Sequence, residues 1–207
     1  MNLILETQNL DNYVQELKEL DFSDAAIQQL TKTLFCSQQT EIEKVRIAFN
    51  FVRDEISHSW DIQSELVTCT ASEVLNHRHG ICYAKANLFA ALLRSQGIPT
   101  GFCYQRLMLF DTPEKGYCIH ALNAVYIRQL NRWIRLDARG NKKGIHAQFS
   151  LSTEKLAFHA NPSFDEVDYP IVYVKPNSET MHVLQQSTNA LEIYLNHLPE
   201  KISCTPQ

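Results

Sequence analysis

The stretch Gly80-Ile81-Cys82-Tyr83-Ala84-Lys85-Ala86-Asn87-Leu88-Phe89-Ala90-Ala91-Leu92-Leu93-Arg94-Ser95-Gln96-Gly97-Ile98-Pro99 decides the fold class. From Cys82 to Gln96 the pattern is helical, with Ala84, Leu88, Ala91, Leu92 and Ser95 on one side. Gly97 is a good C-terminal stop, and Pro99 prevents continuation. Ala84, Ala86, Ala90 and Ala91 suit a helix buried on several sides. Cys82 stands at the start. Unpaired N–H groups and the dipole of a helix N-terminus favour negative charge there, which favours a thiolate. Gly80 lets the backbone pass close to a substrate, and the Cys82 N–H is placed to donate to a developing oxyanion.

Upstream, residues 8–35 read as helical segments broken near Asp21-Phe22-Ser23. Thr40 and Glu43 form a capping box that opens a second helix, running to about Ile56. Ser72 is a candidate cap for a short turn over Glu73 to Asn76, followed by a loop from His77 to Gly80. Downstream the chain changes character. Gly101 to Phe110 has strand-like density, and Asp111 to Gly116 is a turn or loop. Cys118 to Arg128 alternates, with His120, Leu122, Ala124 and Tyr126 on one face and Ile119, Ala121, Asn123, Val125 and Ile127 on the other. Trp133 to Asp137 is the next strand and makes a hairpin with it. A short strand near Tyr169 to Val174, a final helix over 178–198 and a frayed tail from Pro199 complete the expectation. Helices precede strands rather than alternating with them, so the fold class is α+β, with helices packed on an antiparallel sheet.

That arrangement puts chemistry within reach of Cys82. His120 lies on the first hairpin strand, 38 residues further on. A histidine beside a thiol takes its proton and later protonates the leaving group. Asp137 ends the second hairpin strand and falls near opposite residues 120–123, so its carboxylate reaches the outer ring nitrogen of His120, fixing the tautomer and stabilising the imidazolium. Singly, a buried cysteine, a strand histidine and a strand-end aspartate are more often structural. The joint arrangement is much rarer.

An oxyanion-hole side chain is expected upstream of such a cysteine, where His58, Trp60 and Gln63 are candidates and Trp60 the first choice. His77, His79 and Cys82 form an H-x-H-x-x-C cluster, but no C-x-x-C pair supports zinc, and no metal is assigned. His79 is instead a candidate source of positive charge near the thiolate. Cys103 and Cys118 are candidate cross-strand neighbours, with no disulfide expected. Arg139 and His146, just past Asp137, are candidate substrate contacts.

Composition sets the outer bounds. A chain of 207 residues reads as one domain with a core that needs no staples. The net charge of −4 argues against nucleic acid as a partner. The basic residues Arg128, Arg132, Arg135, Arg139, Lys142 and Lys143 cluster against Asp137 alone, giving a solvated edge or a local attraction for acidic substrates. No apolar run approaches the length of a membrane helix, and Met1 to Leu10 lacks the basic n-region of a secretory signal. Six sparse cysteines then suggest reduced thiols in a cytoplasm.

Three blocks carry a resemblance. Ala71-Ser72-Glu73-Val74-Leu75 with Gly80-Ile81-Cys82-Tyr83-Ala84 and Leu88 to Pro99 resembles the cysteine block of the transglutaminase-like superfamily. Ile119-His120-Ala121-Leu122-Asn123-Ala124-Val125-Tyr126 resembles its histidine block, and Trp133-Ile134-Arg135-Leu136-Asp137-Ala138-Arg139-Gly140 its aspartate block. The match covers about residues 40–145, with 1–39 an N-terminal helical extension and 146–207 a C-terminal extension of a single 1–207 domain. The resemblance implies a papain-like triad on an α+β core: Cys82 as nucleophile, His120 as base and acid, Asp137 as orienter. It does not fix the reaction. The chain lacks room for the accessory β domains of animal cross-linking enzymes and is more similar to compact microbial members.

The expectation is cysteine-dependent acyl transfer on an amide of a peptide, protein or small molecule. The thioester is resolved by water or by an amine, with hydrolysis slightly favoured and no cofactor required. Two rivals stand beside it: a non-catalytic peptide- or protein-binding module that keeps the fold, and a redox-sensing thiol protein using Cys82 with another cysteine.

Overall fold

In chain order the regular elements are β1 (Ile4–Leu5), α1 (Ala25–Leu34), α2 (Glu41–Glu55), β2 (Ser57–His58), α3 (Ala71–His77), β3 (His79–Gly80), α4 (Cys82–Arg94), β4 (Thr100–Met108), β5 (Tyr117–Ile127), β6 (Arg132–Leu136), β7 (Val167–Asp168), β8 (Ile171–Val172), α5 (Ser178–Gln186) and α6 (Ala190–Glu192). α6 runs into a π-helical turn, Ile193–His197. The structure is a computed structural model and describes residues 1–202. Among them, no helix is long and apolar enough to cross a membrane.

The pivot is α4. All 13 of its residues are buried, as its run of small side chains allows, and it packs against α2, α3 and β5. Gly97 sits at φ +68°, and its N–H donates to Arg94 O at 2.9 Å while Ile98 N–H donates to Leu93 O at 3.1 Å. This Schellman-type closure favours glycine, which has no Cβ to strain the left-handed turn. Arg94 is buried without a carboxylate. Its guanidinium donates to the carbonyls of Gln15, Thr100 and Val174, tying the N-terminal segment, β4 and the chain after β8 to one helix.

The capping box at α2 forms as expected: Glu43 N–H donates to Thr40 Oγ1 at 3.2 Å, and Thr40 N–H donates to Glu43 Oε2 at 2.7 Å. At α3 the cap is Thr70, in a second box with Glu73, rather than Ser72. Ser72 donates its hydroxyl to Asp21 instead.

Four antiparallel strands form the main sheet in the order β6-β5-β4-β7. β5 pairs with β4 from Thr100↔Val125 to Met108↔Tyr117, and with β6 from Asn123↔Leu136 to Ile127↔Arg132. The period-2 reading of β5 holds. Ile119, Ala121, Val125 and Ile127 join the core built on α4, while Leu122 and Ala124 pack with Tyr13, Cys103, Leu156 and Val172 on the other face. Both faces are therefore covered, the second by the two terminal regions. Gly101 permits this: a Cβ there would lie 2.5 Å from Val172 Cγ1 and 2.8 Å from Tyr173 O.

The terminal regions depart from expectation. In residues 8–35 only α1 is α-helical, and Leu10–Val14 and Lys18–Leu20 are single 3-10 turns. The former serves as a lid, with Tyr13 buried and its hydroxyl donating to Val172 O at 3.0 Å. Of the strand expected at 169–174, only β8 forms, after Pro170, with an isolated bridge from Tyr173 to Phe102, while β7 precedes the expected range. The expected final helix breaks after Gln186, and Asn189 recaps it by accepting from Leu191 and Glu192 N–H. Pro199 is held, not frayed: its carbonyl accepts from Ile119 N–H at 2.9 Å. The rest of that expected tail, 203–207, lies outside the described residues.

Candidate active site

Cys82, His120 and Asp137 come together where the start of α4 meets the sheet. Parallel pairing of β2 with β3 (His58↔Gly80) brings the chain into that start. Ile81 caps α4 with no side-chain hydrogen bond, so no side chain competes for the N–H groups beside Cys82. Cys82 is 6% exposed, His120 4% and Asp137 1%.

His120 Nε2–H donates to Asp137 Oδ2 at 2.8 Å. The same oxygen accepts from Ala157 N–H at 3.0 Å, and Oδ1 accepts from Arg139 N–H at 3.1 Å. The carboxylate is thus fixed from three directions. With Nε2 taken, Nδ1 is the ring nitrogen left for Cys82, which lines the same cavity as His120. Burial alone would pull the His120 pKa down. The Asp137 carboxylate and the Cys82 sulfur outweigh it and raise the value to about 10. Burial would likewise raise the pKa of Asp137, but the charge and hydrogen bond of His120 hold it below the usual carboxylate range. The ring of Phe158 meets His120 edge-on, centroids 4.9 Å apart, and limits its rotation.

A cavity of about 560 Å³ opens over Cys82 and His120. Trp60 lines it, its indole stacked on Tyr194 at 4.7 Å and 17°. His58 does not line it. It is 3% exposed, neither ring nitrogen has a hydrogen-bond partner, and burial holds its pKa well below the ordinary value. Gln63 is exposed and donates to the Trp60 carbonyl. Of the three upstream candidates, then, only Trp60 faces the cavity.

The other expectations divide. The ring nitrogens of His79 bond Ser59 at 3.0 Å and Ser64 at 3.2 Å. Burial lowers its pKa, so it is neutral near pH 7 and adds no positive charge beside Cys82. Among the described residues no group of three or more His, Cys, Asp or Glu is placed to hold a metal. Cys103 and Cys118 are not cross-strand neighbours, since the register sets Cys103 opposite Leu122 and Cys118 opposite Leu107. Cys118 lines the same cavity as Cys82, whereas Cys204 lies outside the described residues. Arg139 also lines the cavity, its guanidinium held by Asp61, but His146 is exposed and forms none of the wall.

Several residues were missed in the sequence. Tyr194 and Leu198 reach the cavity from the C-terminal extension, and Phe158 from the irregular stretch before β7. No local motif marks any of them. Lys85 lies behind the site: it donates to the Ile56 carbonyl, and a Cβ at Gly140 would lie 3.4 Å from its Nζ. Burial and the nearby Arg139 pull its pKa down to about 7.

A family model described as the transglutaminase-like superfamily matches residues 28–138, more than half of the chain. Among solved structures, a Cytophaga hutchinsonii protein provisionally assigned as a cysteine protease is 19% identical, with a TM-score of 0.51. The alignment covers 64% of this chain and 43% of that one. A structure described as a TGase is 17% identical, with a TM-score of 0.47, over 82% of this chain and 48% of that one. The chain therefore spans less than half the length of either structure, and the likeness is one of fold: α+β, papain- and transglutaminase-like. No curated protein matches.

Proposed function

From a chain that belongs to the transglutaminase-like superfamily, we infer a cysteine enzyme that transfers the acyl group of an amide through a thioester. The observation that carries the inference is one buried ring between two groups: His120 bonds Asp137 through Nε2 and lines one cavity with Cys82, whose sulfur helps to hold the ring protonated. Asp137 holds the tautomer and stabilises the imidazolium. His120 takes the thiol proton as the Cys82 sulfur attacks the amide carbonyl. The oxyanion that forms is met by the Cys82 N–H at the uncapped start of α4, with the Trp60 indole N–H as the side-chain donor. His120 then gives its proton to the departing amine. Water, activated by the now neutral ring, hydrolyses the thioester and returns the thiol. A second amine in place of water would make the same site a transferase. Hydrolysis is the reading adopted, because water needs no site of its own.

Alkylation kinetics test it. With iodoacetamide at pH 6, Cys82 should react faster than a free thiol, and His120→Ala should lower the rate to that of a free thiol. A wild-type rate no faster than a free thiol, unchanged by His120→Ala, would sink the activated-nucleophile reading. Mass spectrometry of a peptide library incubated with an amine donor then separates hydrolysis from transfer.

A further inference from the structure

The segment from α6 to Glu200 joins the two sides of the cleft. At one end Ala190 N–H donates to Glu65 O at 2.7 Å, and Tyr194 stacks on Trp60, both on the helical side. At the other end Pro199 O accepts from Ile119 N–H at 2.9 Å, and Glu200 O accepts from Arg106 Nε at 3.1 Å, both on the sheet. Ile119 adjoins His120, so the strap lands on the edge of the very strand that carries the ring. Between these anchors Tyr194 and Leu198 form part of the cavity wall. A polypeptide lying along the junction of helix and sheet would have to pass through this strap. The cavity volume, about 560 Å³, is within the range of small-molecule sites, roughly 300–1,000 Å³.

The charge of the wall is uneven. The loop after Asp137 contributes Arg139, Lys142 and Lys143. Asp61 is shared by Arg139 (2.9 Å) and Lys142 (2.7 Å), which leaves a cationic surplus, and Lys143 is exposed at the rim. Glu166 is the carboxylate on the wall itself, and its oxygens accept from Met108 and Asn161 N–H. An anionic group entering beside Lys142 and Lys143 therefore meets net positive charge, although the whole chain carries −4.

We propose that the cleft takes a short amide bearing a carboxylate, such as an acidic dipeptide or a free acidic chain end, and excludes the interior of a polypeptide. The proposal rests on the acyl-transfer reading and names the substrate class of that same site.

Binding to the Cys82→Ala protein tests it without turnover. The probes are three N-acetylated dipeptides ending in Glu, Gln-amide or Lys-amide, and a twelve-residue end-blocked peptide with the Glu dipeptide at its centre. Isothermal titration should rank the Glu dipeptide about fivefold or more above the Gln-amide, the scale of one or two exposed ion pairs. The preference should shrink in 0.5 M salt, used here as roughly a Debye-length screen, and in the Lys142→Ala/Lys143→Ala double variant. The twelve-residue peptide should bind at least about tenfold more weakly than the free dipeptide, and Leu198→Ala should narrow that gap. Equal binding of the long peptide overturns the closed end, equal binding of the three dipeptides overturns the charge selection, and no binding by any probe overturns both. Alkylation of Cys82 in the wild-type chain is independent of all these outcomes, so a failed substrate class and a failed nucleophile are distinguishable.

Discussion

His120 Nε2 and Asp137 Oδ2 lie 2.8 Å apart, and both side chains are at most 5% exposed. Because Ala157 and Arg139 N–H groups also hold the carboxylate, Asp137→Asn should keep the fold while weakening its grip on the cationic ring. Turnover should fall by about 10⁴-fold, the loss seen when such a ring is left in the wrong tautomer. Circular dichroism checks the fold, and kcat on a cleaved peptide checks the chemistry. An unchanged kcat would remove Asp137 from the proposed mechanism.

Two buried groups make opposite contributions to stability above neutrality. The folded pKa of His120, about 10, lies above its ordinary 6.5, so its contribution is fully present below about pH 6.5 and is lost as pH rises towards 10. The folded pKa of Lys85, about 7, lies below its ordinary 10.5, so the cost of its buried charge is relieved as pH rises from about 7 to 10.5. The two trends offset one another. Lys85→Met removes the second, and its unfolding free energy in urea should fall more steeply between pH 7 and 10 than that of the wild type. Buried thiols such as Cys103 and Cys118, whose pKa values burial raises, act equally in both proteins. Parallel pH profiles would refute the assignment.

Much of this pair was legible in the sequence, and the reason is local. α4 carries its stop signal in Gly97 and its small-residue burial signal in four alanines, and β5 and β6 carry alternation with a short turn between them. These are short-range patterns, so Cys82, His120 and Asp137 could be placed on their elements from the chain alone. Phe158, Tyr194 and Leu198 could not, because each lies in irregular chain or a broken helix and reaches the cavity only through tertiary contact. His58 shows the opposite limit. Its position in the sequence made it a candidate donor, but its buried ring lies behind the cavity wall. The segment at 10–20 misled for a related reason: Tyr13 covers the second face of the sheet while Leu17 and Leu20 pack into the core built on α4, so its apolar residues form no single helix face.

At Gly101 the second face of the sheet leaves no room. Gly101→Ala would drive a Cβ to 2.8 Å from the Tyr173 carbonyl, a backbone atom that cannot swing aside. The variant should lose about 1–3 kcal/mol, read as a lowered denaturation midpoint. An unchanged midpoint would mean that β4 and the chain after β8 separate more easily than their packing implies.

Arg94→Met should be costlier than its conservative size suggests. It leaves carbonyls of Gln15, Thr100 and Val174 without their donor, each worth about 1–3 kcal/mol where water cannot replace it. Urea titration should show the loss, and hydrogen exchange should show faster opening in residues 10–20 than in α4. Uniform exchange across the two would refute its role as the tie between them.

The strap also bears on the order in which the protein is made. Cys82, His120 and Asp137 are all present once synthesis passes residue 137, yet Tyr194 and Leu198 follow more than fifty residues later. A chain still on the ribosome, or one cut short between these points, carries the three residues in a groove that lacks the Tyr194 and Leu198 wall. Such a fragment would meet neighbouring polypeptides with its thiol unguarded, and the stretch that carries Tyr194 and Leu198 is what walls that groove.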